Sequence, residues 1–420
     1  MDEVSIKFWT TLFQENPETA ANEFRRRQQA MAEPQREAIW AWQDTGAIWN
    51  SSASQSSLQG VPFACKDLFH LKDTPTRAGS VLPAPIRKKD GALVAALRSL
   101  GALPVGKTHL HEFAYGLTGE NPHFGDVQHP YFPDRSSGGS SSGSAAVVGA
   151  GVVPFALGTD TAGSLRVPAS YCGLFSWRGQ PGHPWIADAF PLAPKFDTAG
   201  WITHTAADTL LLLESLSGEI PTPDQPPRGC YLPPSSLHVA TDNETEALLQ
   251  TASYPLASTQ MDADSQLACA CRGVGKTYEV LQSTDAFFAH RNRLDSHRAA
   301  YGPNVWERLD RGRRWSAREI DSAALHALKI RAAFEGLFAE FDFLVTPSTI
   351  EPAPLYSDKR TQIRDDLLQL NTHVSVAGLP ALSIPVLLPN GLSLGLQVIF
   401  PRASSAAIKW VIQQLSNAHA

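Results

Sequence analysis

Short apolar runs that end at Gly or Pro follow one another along most of the chain beyond residue 56. This pattern is typical of buried strands that alternate with helices, and it favours an α/β fold. It predicts strands at 60–66, 103–105, 343–345, 381–387 and 394–399, and helices at 92–100, 145–153, 285–340 and 406–415. One or two surface helices are predicted within 1–50, a polar connector at 51–57 and a surface excursion at 221–234.

The composition is that of a globular protein with a large core, since 43% of the 420 residues are hydrophobic and 18% are charged. The net charge is −6 and the densest basic stretch, 308–318, is interrupted by Asp310 and Trp315, so no nucleic-acid partner is expected. The five cysteines lack a C-x-x-C pair, which argues against a disulfide framework and a structural zinc site. Neither a signal peptide nor a membrane span is predicted, so we expect a cytoplasmic protein without membrane association.

Several short motifs suggest other chemistry, but their surroundings do not fit. Gly101–Thr108 matches the phosphate-loop pattern G-x-x-x-x-G-K-T, yet a helix precedes it and its middle is predicted as a strand. Gly139–Gly143 matches the G-x-S-x-G turn of α/β-hydrolases, which needs a hydrophobic strand before it, whereas 131–137 is polar. The His-x-His-Glu run at 109–112 lacks zinc-ligand spacing, so no metal site is predicted.

The Ser/Gly-rich run 134–144 has the composition of a flexible linker. The deeply apolar stretch 145–153 follows it at once, which a linker between domains would not allow. We therefore interpret the run as a loop packed near a helix N-terminus, where its N–H groups could bind partial negative charge.

Three segments are unusual together, namely Gly60–Asp67, Gly138–Ser144 and Gly158–Pro168. The third places Ser164 after Thr-Ala-Gly, where small side chains let consecutive N–H groups converge as in an oxyanion hole. The second offers hydroxyls that both accept and donate a proton, and the first puts Lys66 behind an apolar run, which predicts a desolvated amine of lowered pKa. Taken singly, a serine in a Gly-rich loop is better explained as a turn residue, Lys66 as a solvated lysine, and Asp160 with Arg166 as a buried ion pair. Together the three segments predict covalent acyl transfer.

The chain resembles the amidase signature family. The family's defining stretch, Gly-Gly-Ser-Ser-x-Gly-Ser followed by Gly-Thr-Asp-Thr-x-Gly-Ser-x-Arg-x-Pro-Ala, is present at 138–144 and 158–169. Ser140 and Ser164 are 24 residues apart, which is the family's spacing between its relay and nucleophilic serines. Further matches lie at 61–67, 106–108, 196–200, 346–347 and 377–381, so the resemblance covers most of 60–210 and 340–415.

The resemblance implies one amidase-signature domain of the α/β class over 1–420, with a central twisted mixed β-sheet flanked by helices on both faces. Its expected parts are an N-terminal helical arm (1–56), a catalytic signature region (57–210), a variable helical region (211–340), and C-terminal strands and a helix that complete the core (341–420).

The resemblance also implies roles for individual residues. Ser164 would be the nucleophile, Ser140 would relay its proton from a cis-peptide position, and Lys66 would be the final base. The oxyanion hole would comprise the backbone N–H groups of Thr161, Ala162, Gly163 and Ser164. Ala114, Tyr115 and Gly116 would line the substrate side, and Ser141, Asp160 and Arg166 would support the site.

The implied activity is hydrolysis of a small primary or aryl amide, without cofactor or metal. Ala162, where many members have Gly, and the atypical segment 175–181 put the choice of substrate in doubt. The short length and the Asn-Pro-His-Phe-Gly run at 121–125 resemble compact single-domain amidases such as the indole acetamide hydrolases. The alternatives are a glutaminase subunit of a tRNA-dependent amidotransferase, which needs partner subunits and a cation in its pocket, and a noncatalytic binding relic. The expected partner is a small-molecule amide, and a homodimer stays open.

Overall fold

The structure is a computed structural model that describes residues 4–44, 49, 56–358 and 360–418. Within these residues the strands are β1 Trp40–Gln43, β2 Pro62–Lys66, β3 Leu103–Thr108, β4 Phe155–Asp160, β5 Phe175–Arg178, β6 Thr198–Thr203, β7 Gly229–Tyr231, β8 Thr259–Gln260, β9 Phe343–Thr349, β10 Ala381–Leu387 and β11 Ser393–Ile399. Single 3-10 turns lie at Glu112–Ala114, Pro234–Leu237 and Arg298–Ala300.

The helices of the described residues are α1 Ile6–Glu15, α2 Pro17–Ala30, α3 Glu33–Ile39, α4 Ala92–Ser99, α5 Ser142–Gly149, α6 Arg166–Tyr171, α7 Pro184–Ala187, α8 Ala206–Ser217, α9 Asn243–Ser253, α10 Gln266–Ala270, α11 Val274–Leu294, α12 Pro303–Arg311, α13 Ala317–Glu340, α14 Arg360–Ala377 and α15 Ala406–Ala418. In this part of the chain no helix is both long and apolar enough to cross a membrane.

All the strands belong to one mixed sheet of order β1-β3-β2-β4-β6-β5-β10-β11-β9-β7-β8. The strand β2 runs parallel to both β3 and β4, whereas β4, β6, β5, β10, β11 and β9 are antiparallel to their successive neighbours. The helices flank the sheet and bury the apolar side chains of its central strands. The predicted α/β class with a large central sheet is confirmed.

Most predicted elements, α5 among them, are confirmed within a few residues, and two predictions were wrong. Residues 4–44 contain three helices instead of one or two, and they also contain the strand β1. This strand forms because Trp40 pairs with Thr108 at the sheet edge. The helix predicted at 145–153 is α5, which begins three residues earlier. Its small first-turn residues pack closely against the preceding strand, and a Cβ on Gly143 would lie only 2.8 Å from the His109 carbonyl oxygen. The predicted excursion at 221–234 contributes β7, which pairs parallel with β9 through buried Cys230 and Tyr231. Most of the predicted connector at 51–57 lies outside the described residues.

The register of β2 and β4 determines where the candidate chemistry lies. Cys65 pairs with Leu157 in a parallel ladder, so the chain leaves both strands at the same edge of the sheet. Lys66 is the last residue of β2, and β4 ends at Asp160, just before the loop that carries Ser164. Two of the three unusual segments therefore meet because of strand pairing alone.

Candidate active site

Lys66 is fully buried, and its ammonium nitrogen faces only hydroxyl and carbonyl oxygens. Lys66 Nζ lies 2.7 Å from Ser140 Oγ, 3.0 Å from Ser141 Oγ and 2.8 Å from Thr159 Oγ1. A longer contact of 3.5 Å joins it to the Thr159 carbonyl oxygen. No carboxylate pairs with Lys66 among the described residues. The side chain is therefore held by neutral groups and lies in direct contact with the predicted relay serine.

This environment changes the acidity of Lys66. Burial lowers its pKa from 10.5 to about 7, because a desolvated ammonium ion loses its hydration. The negative charges of Asp160 and Asp197 oppose this shift without cancelling it. A substantial fraction of the amine is uncharged near neutral pH, and an uncharged amine can accept a proton from Ser140.

The serine loop before α5 is packed into the interior. Ser140 and Ser141 are both fully buried, and the peptide bond between Gly139 and Ser140 is cis. Gly138 has φ +76°, and a Cβ there would lie 2.7 Å from the Tyr171 ring, so only glycine fits. The sequence-based interpretation of this run as a packed loop next to a helix N-terminus is confirmed.

Gly158 lets the serine loop approach β4. A Cβ at this position would lie 2.8 Å from Ser141 Oγ, closer than side chains tolerate. Ser141 in turn donates from its backbone N–H to the carbonyl oxygen of Ser164 at 3.2 Å. The two serine-bearing loops are thus joined directly by their backbones.

Asp160 organises the loop that carries Ser164. Its carboxylate accepts hydrogen bonds from the backbone N–H groups of Gly163 at 2.8 Å and Leu165 at 3.2 Å. It is also paired with the buried side chains of Arg166, at 2.8 Å, and Arg178, at 2.8 Å. These cations hold the pKa of Asp160 well below its usual range although burial opposes them. The carboxylate is therefore charged and fixes the path of the chain on both sides of Ser164.

One predicted oxyanion donor is already engaged. The Gly163 N–H points to Asp160, whereas the backbone N–H groups of Thr161, Ala162 and Ser164 have no hydrogen-bond partner among the described residues. Ser164 Oγ likewise forms no hydrogen bond there, so Ser140 and Ser164 are not joined through their hydroxyls. The N–H groups of Thr161, Ala162 and Ser164 are therefore left for an oxyanion.

A cavity of about 470 Å³ opens in front of Ser164. Its walls include six of the residues predicted for the site, namely Ala114, Tyr115, Gly116, Thr161, Ala162 and Ser164. The remaining predicted residues, Lys66, Ser140, Ser141, Asp160, Gly163 and Arg166, do not line this cavity. All of these are buried polar groups except Gly163. The structure therefore separates a buried layer that includes Lys66 and Ser140 from the cavity wall in front of Ser164.

Sequence reasoning missed several residues of this arrangement. Thr159 contacts Lys66 directly, and its position one residue before Asp160 in β4 was the only signal for it. Asp197 accepts hydrogen bonds from Thr161 Oγ1 at 2.7 Å and from the backbone N–H groups of Leu192 and Ala193, so it joins the loop that carries Ser164 to the cavity wall. The far wall consists of residues of α11, α12 and α14, for which no motif exists.

The lysine of the phosphate-loop match has a different role. Lys107 is fully buried in β3, and its Nζ lies 2.5 Å from Asp67 Oδ1. It also donates to the Pro75 carbonyl oxygen at 2.7 Å and to Thr76 Oγ1 at 2.9 Å. All three donors of the ammonium group are used, so Lys107 is not available to a nucleotide.

Comparison with known proteins agrees with the site. The Amidase family model matches residues 35–247 and 293–408. The chain belongs to the amidase signature family. The family assigns it to the hydrolases that act on amide C–N bonds.

Two relatives differ in their named activities. The chain is 41% identical over 165 residues to an indoleacetamide hydrolase of Pseudomonas syringae pv. syringae, a stretch that covers 39% of this chain and 37% of that hydrolase. It is 30% identical over 391 residues to the A-type component of a glutamyl-tRNA(Gln) amidotransferase from Natranaerobius thermophilus, which covers 81% of this chain and 78% of that component. A crystal structure of an amidase superposes over 100% of both chains with a TM-score of 0.86 and 27% identity. The substrate is not resolved by these similarities.

Proposed function

We propose that this protein hydrolyses a small primary or aryl amide to a carboxylic acid and ammonia or an amine, through an acyl-enzyme on Ser164. The observation that carries the proposal is the contact of 2.7 Å between Ser140 Oγ and a fully buried Lys66 whose pKa is lowered to about 7. A lysine of ordinary pKa would be protonated and could not act as a base.

The proposed reaction begins when Ser164 Oγ attacks the amide carbonyl carbon. Its proton passes to Ser140, whose own hydroxyl proton passes to the neutral amine of Lys66. The developing oxyanion is bound by the free N–H groups of Thr161, Ala162 and Ser164. The proton returns along the same path to the leaving nitrogen, the C–N bond breaks, and ammonia or an amine departs.

Water completes the proposed cycle. It attacks the ester carbonyl of the acyl-enzyme while its proton passes through Ser140 to Lys66. The ester C–O bond then breaks, the proton returns through Ser140 to Ser164 Oγ, and the acid leaves. Support for the two serines acting together comes from the backbone hydrogen bond between Ser141 and Ser164, which holds their loops side by side.

The cavity supports a small substrate with a flat ring. A volume of about 470 Å³ lies in the range of pockets that enclose one small molecule. Tyr115, Leu117, Leu192, Tyr278 and Leu368 contribute aromatic and aliphatic side chains to its wall. The named activity of the indoleacetamide hydrolase supports the same class of substrate.

One observation favours the glutaminase alternative. Arg308 lines the cavity and pairs with no carboxylate among the described residues; its Nη1 donates to the Tyr115 carbonyl oxygen at 2.6 Å. A guanidinium in this position could bind the carboxylate of glutamine. The amidotransferase component found as a relative supports that alternative as well.

Ammonia release by the purified chain tests the proposal. We expect release from phenylacetamide and indole-3-acetamide, and its loss in Ser164→Ala together with loss of labelling by a fluorophosphonate. Unchanged turnover by Ser164→Ala would remove the proposed nucleophile. Hydrolysis of glutamine alone, increased by amidotransferase partner subunits, would favour the alternative.

A further inference from the structure

One face of α11 forms much of the far wall of the cavity. Gly275, Tyr278 and Gln282 follow each other at helical spacing along the inner part of this face, and both Tyr278 and Gln282 are buried. Lys276 and Glu279 lie at the more exposed mouth, where they pair with each other at 2.9 Å. The inner part of this helix therefore presents neutral side chains to a bound molecule.

Gln282 has an unusual position on this wall. Only 2% of its surface is exposed, and its Nε2 atom is fully enclosed. This atom forms no hydrogen bond of standard geometry among the described residues. The polar group that Gln282 faces is the hydroxyl of Tyr115, which itself donates to the Arg308 carbonyl oxygen at 3.3 Å. Nε2 therefore has the Tyr115 hydroxyl as its neighbour, and a buried carboxamide whose oxygen lacks a donor is costly unless water or a ligand supplies one.

The environment also determines which atom of Gln282 is left for a ligand. Because Nε2 is enclosed and Gln282 lines the cavity, Oε1 is the atom that reaches the open space. No described residue donates a hydrogen bond to Oε1. A carbonyl oxygen only accepts, so the complementary group on the ligand must be an N–H or O–H donor.

We propose that Gln282 is a specificity-determining residue, whose Oε1 accepts a hydrogen bond from a ring N–H or hydroxyl of an aryl amide substrate. This inference rests on the proposed amidase function and narrows its substrate class. The rings of Tyr115 and Tyr278 in the same wall favour a flat aromatic group, with which they stack edge to face or offset.

A pair of amides of equal shape tests the proposal. Indole-3-acetamide carries a ring N–H, and 1-benzothiophene-3-acetamide has sulfur in its place. We expect the wild-type protein to prefer the indole by at least about tenfold in kcat/KM, because a site that binds a substrate N–H discriminates against an analogue without it. In Gln282→Leu the preference should disappear, while in Gln282→Glu, which retains an acceptor, it should persist.

Gln369 provides the matched control. It lines the same cavity, but its Nε2 already donates to the Leu237 carbonyl oxygen at 3.0 Å. Gln369→Leu should therefore leave the ratio between the two amides as in the wild type.

The outcomes separate the two proposals. Equal turnover of both amides by the wild type, or an unchanged preference in Gln282→Leu, overturns the role of Gln282 and leaves the amidase proposal standing. No ammonia from either amide overturns the proposed aryl-amide function and this inference with it.

Discussion

The buried layer behind Ser164 and the far wall of the cavity solve different physical problems. In the buried layer Lys66 and Asp160 each make several hydrogen bonds, although Arg178 Nη2 beside Asp160 and Ser142 Oγ have none among the described residues. In the far wall, Gln282 has an enclosed nitrogen without a hydrogen bond and Arg308 has no carboxylate among the described residues. Several contacts hold Lys66 and Asp160 in place, whereas a polar group of the cavity wall without a partner leaves room for a substrate to supply one. Our proposals therefore place reaction and specificity in separate elements of this fold.

The two regions also come from different parts of the chain. The buried layer is formed by the ends of β2 and β4 and the loops that follow them or lead into α5. The far wall is formed by α11, α12 and α14, which are separated from the serine loops by more than 100 residues. Substitutions in the first region should therefore abolish turnover, and those in the second should change which amide is used.

The largest expected effect comes from Lys66→Met. Loss of the base should lower kcat by roughly 10²- to 10⁴-fold at pH 7. The free energy of unfolding should change little, because the methionine removes the cost of desolvating Lys66 but leaves the Ser140 and Thr159 hydroxyls without their hydrogen bonds to it. Ammonia release and urea denaturation measure the two quantities. Substantial unfolding of this variant would contradict the view that Lys66 serves chemistry alone.

Lys107→Met is the matched control on the neighbouring strand. Here the lysine is paired with Asp67 at 2.5 Å, so its removal leaves a buried carboxylate without its cation, with the backbone N–H of Arg77 at 3.0 Å still bound to Oδ2. We expect a loss of about 3–5 kcal/mol in stability. If Lys107→Met were as stable as the wild type, the ion pair with Asp67 would not stabilise the fold, and Lys107 would not differ from Lys66 in its contribution to stability.

Asp160→Asn attacks the buried layer through its organising carboxylate. The amide keeps the size of the side chain but leaves Arg166 and Arg178 buried without a counter-charge. Thermal or urea unfolding should show a loss of about 3 kcal/mol. Activity per folded molecule should fall too, since the N–H of Gly163 loses its charged acceptor. Full activity at wild-type stability would remove Asp160 from the positioning of Ser164.

Much of the buried layer could be predicted because its signals are local. An apolar run before Lys66 predicts a buried amine, and small residues around Ser140 and Ser164 predict close packing. What could not be predicted depends on tertiary contacts. Nothing in the sequence indicates that the Gly163 N–H points to Asp160, or that Thr159 faces Lys66.

The far wall could not be predicted for the same reason. Its residues belong to ordinary amphipathic helices, and only the packing of α11 against α12 and α14 brings Gln282 and Arg308 to one cavity. The strand β1 was missed because Ile39 and Trp42 are three residues apart, which fits a helix face, and only pairing with β3 places Trp40–Gln43 in the sheet.

The pH dependence of turnover tests the state of Lys66. Since its pKa is about 7 and only the neutral amine accepts a proton, kcat/KM should fall about tenfold per pH unit below 7. In Thr159→Val the ammonium form loses a hydrogen bond of 2.8 Å, so the pKa should fall further and the acid limb should move to lower pH. A limb that moves to higher pH would contradict this account of the contact.

The smallest effect is expected at the mouth of the cavity. Glu279 pairs with Lys276 at 2.9 Å and with Arg311, but all three side chains are about one-third exposed or more. Solvent and salt screen such pairs, so Glu279→Gln should change stability by less than about 1 kcal/mol. Turnover of a neutral amide should also stay within about threefold of wild type at low and high salt, because no charge on the substrate interacts with these residues. A large loss of kcat in Glu279→Gln would show that residues at the mouth of the cavity contribute to the reaction. It would contradict the proposal that reaction and specificity depend on separate regions.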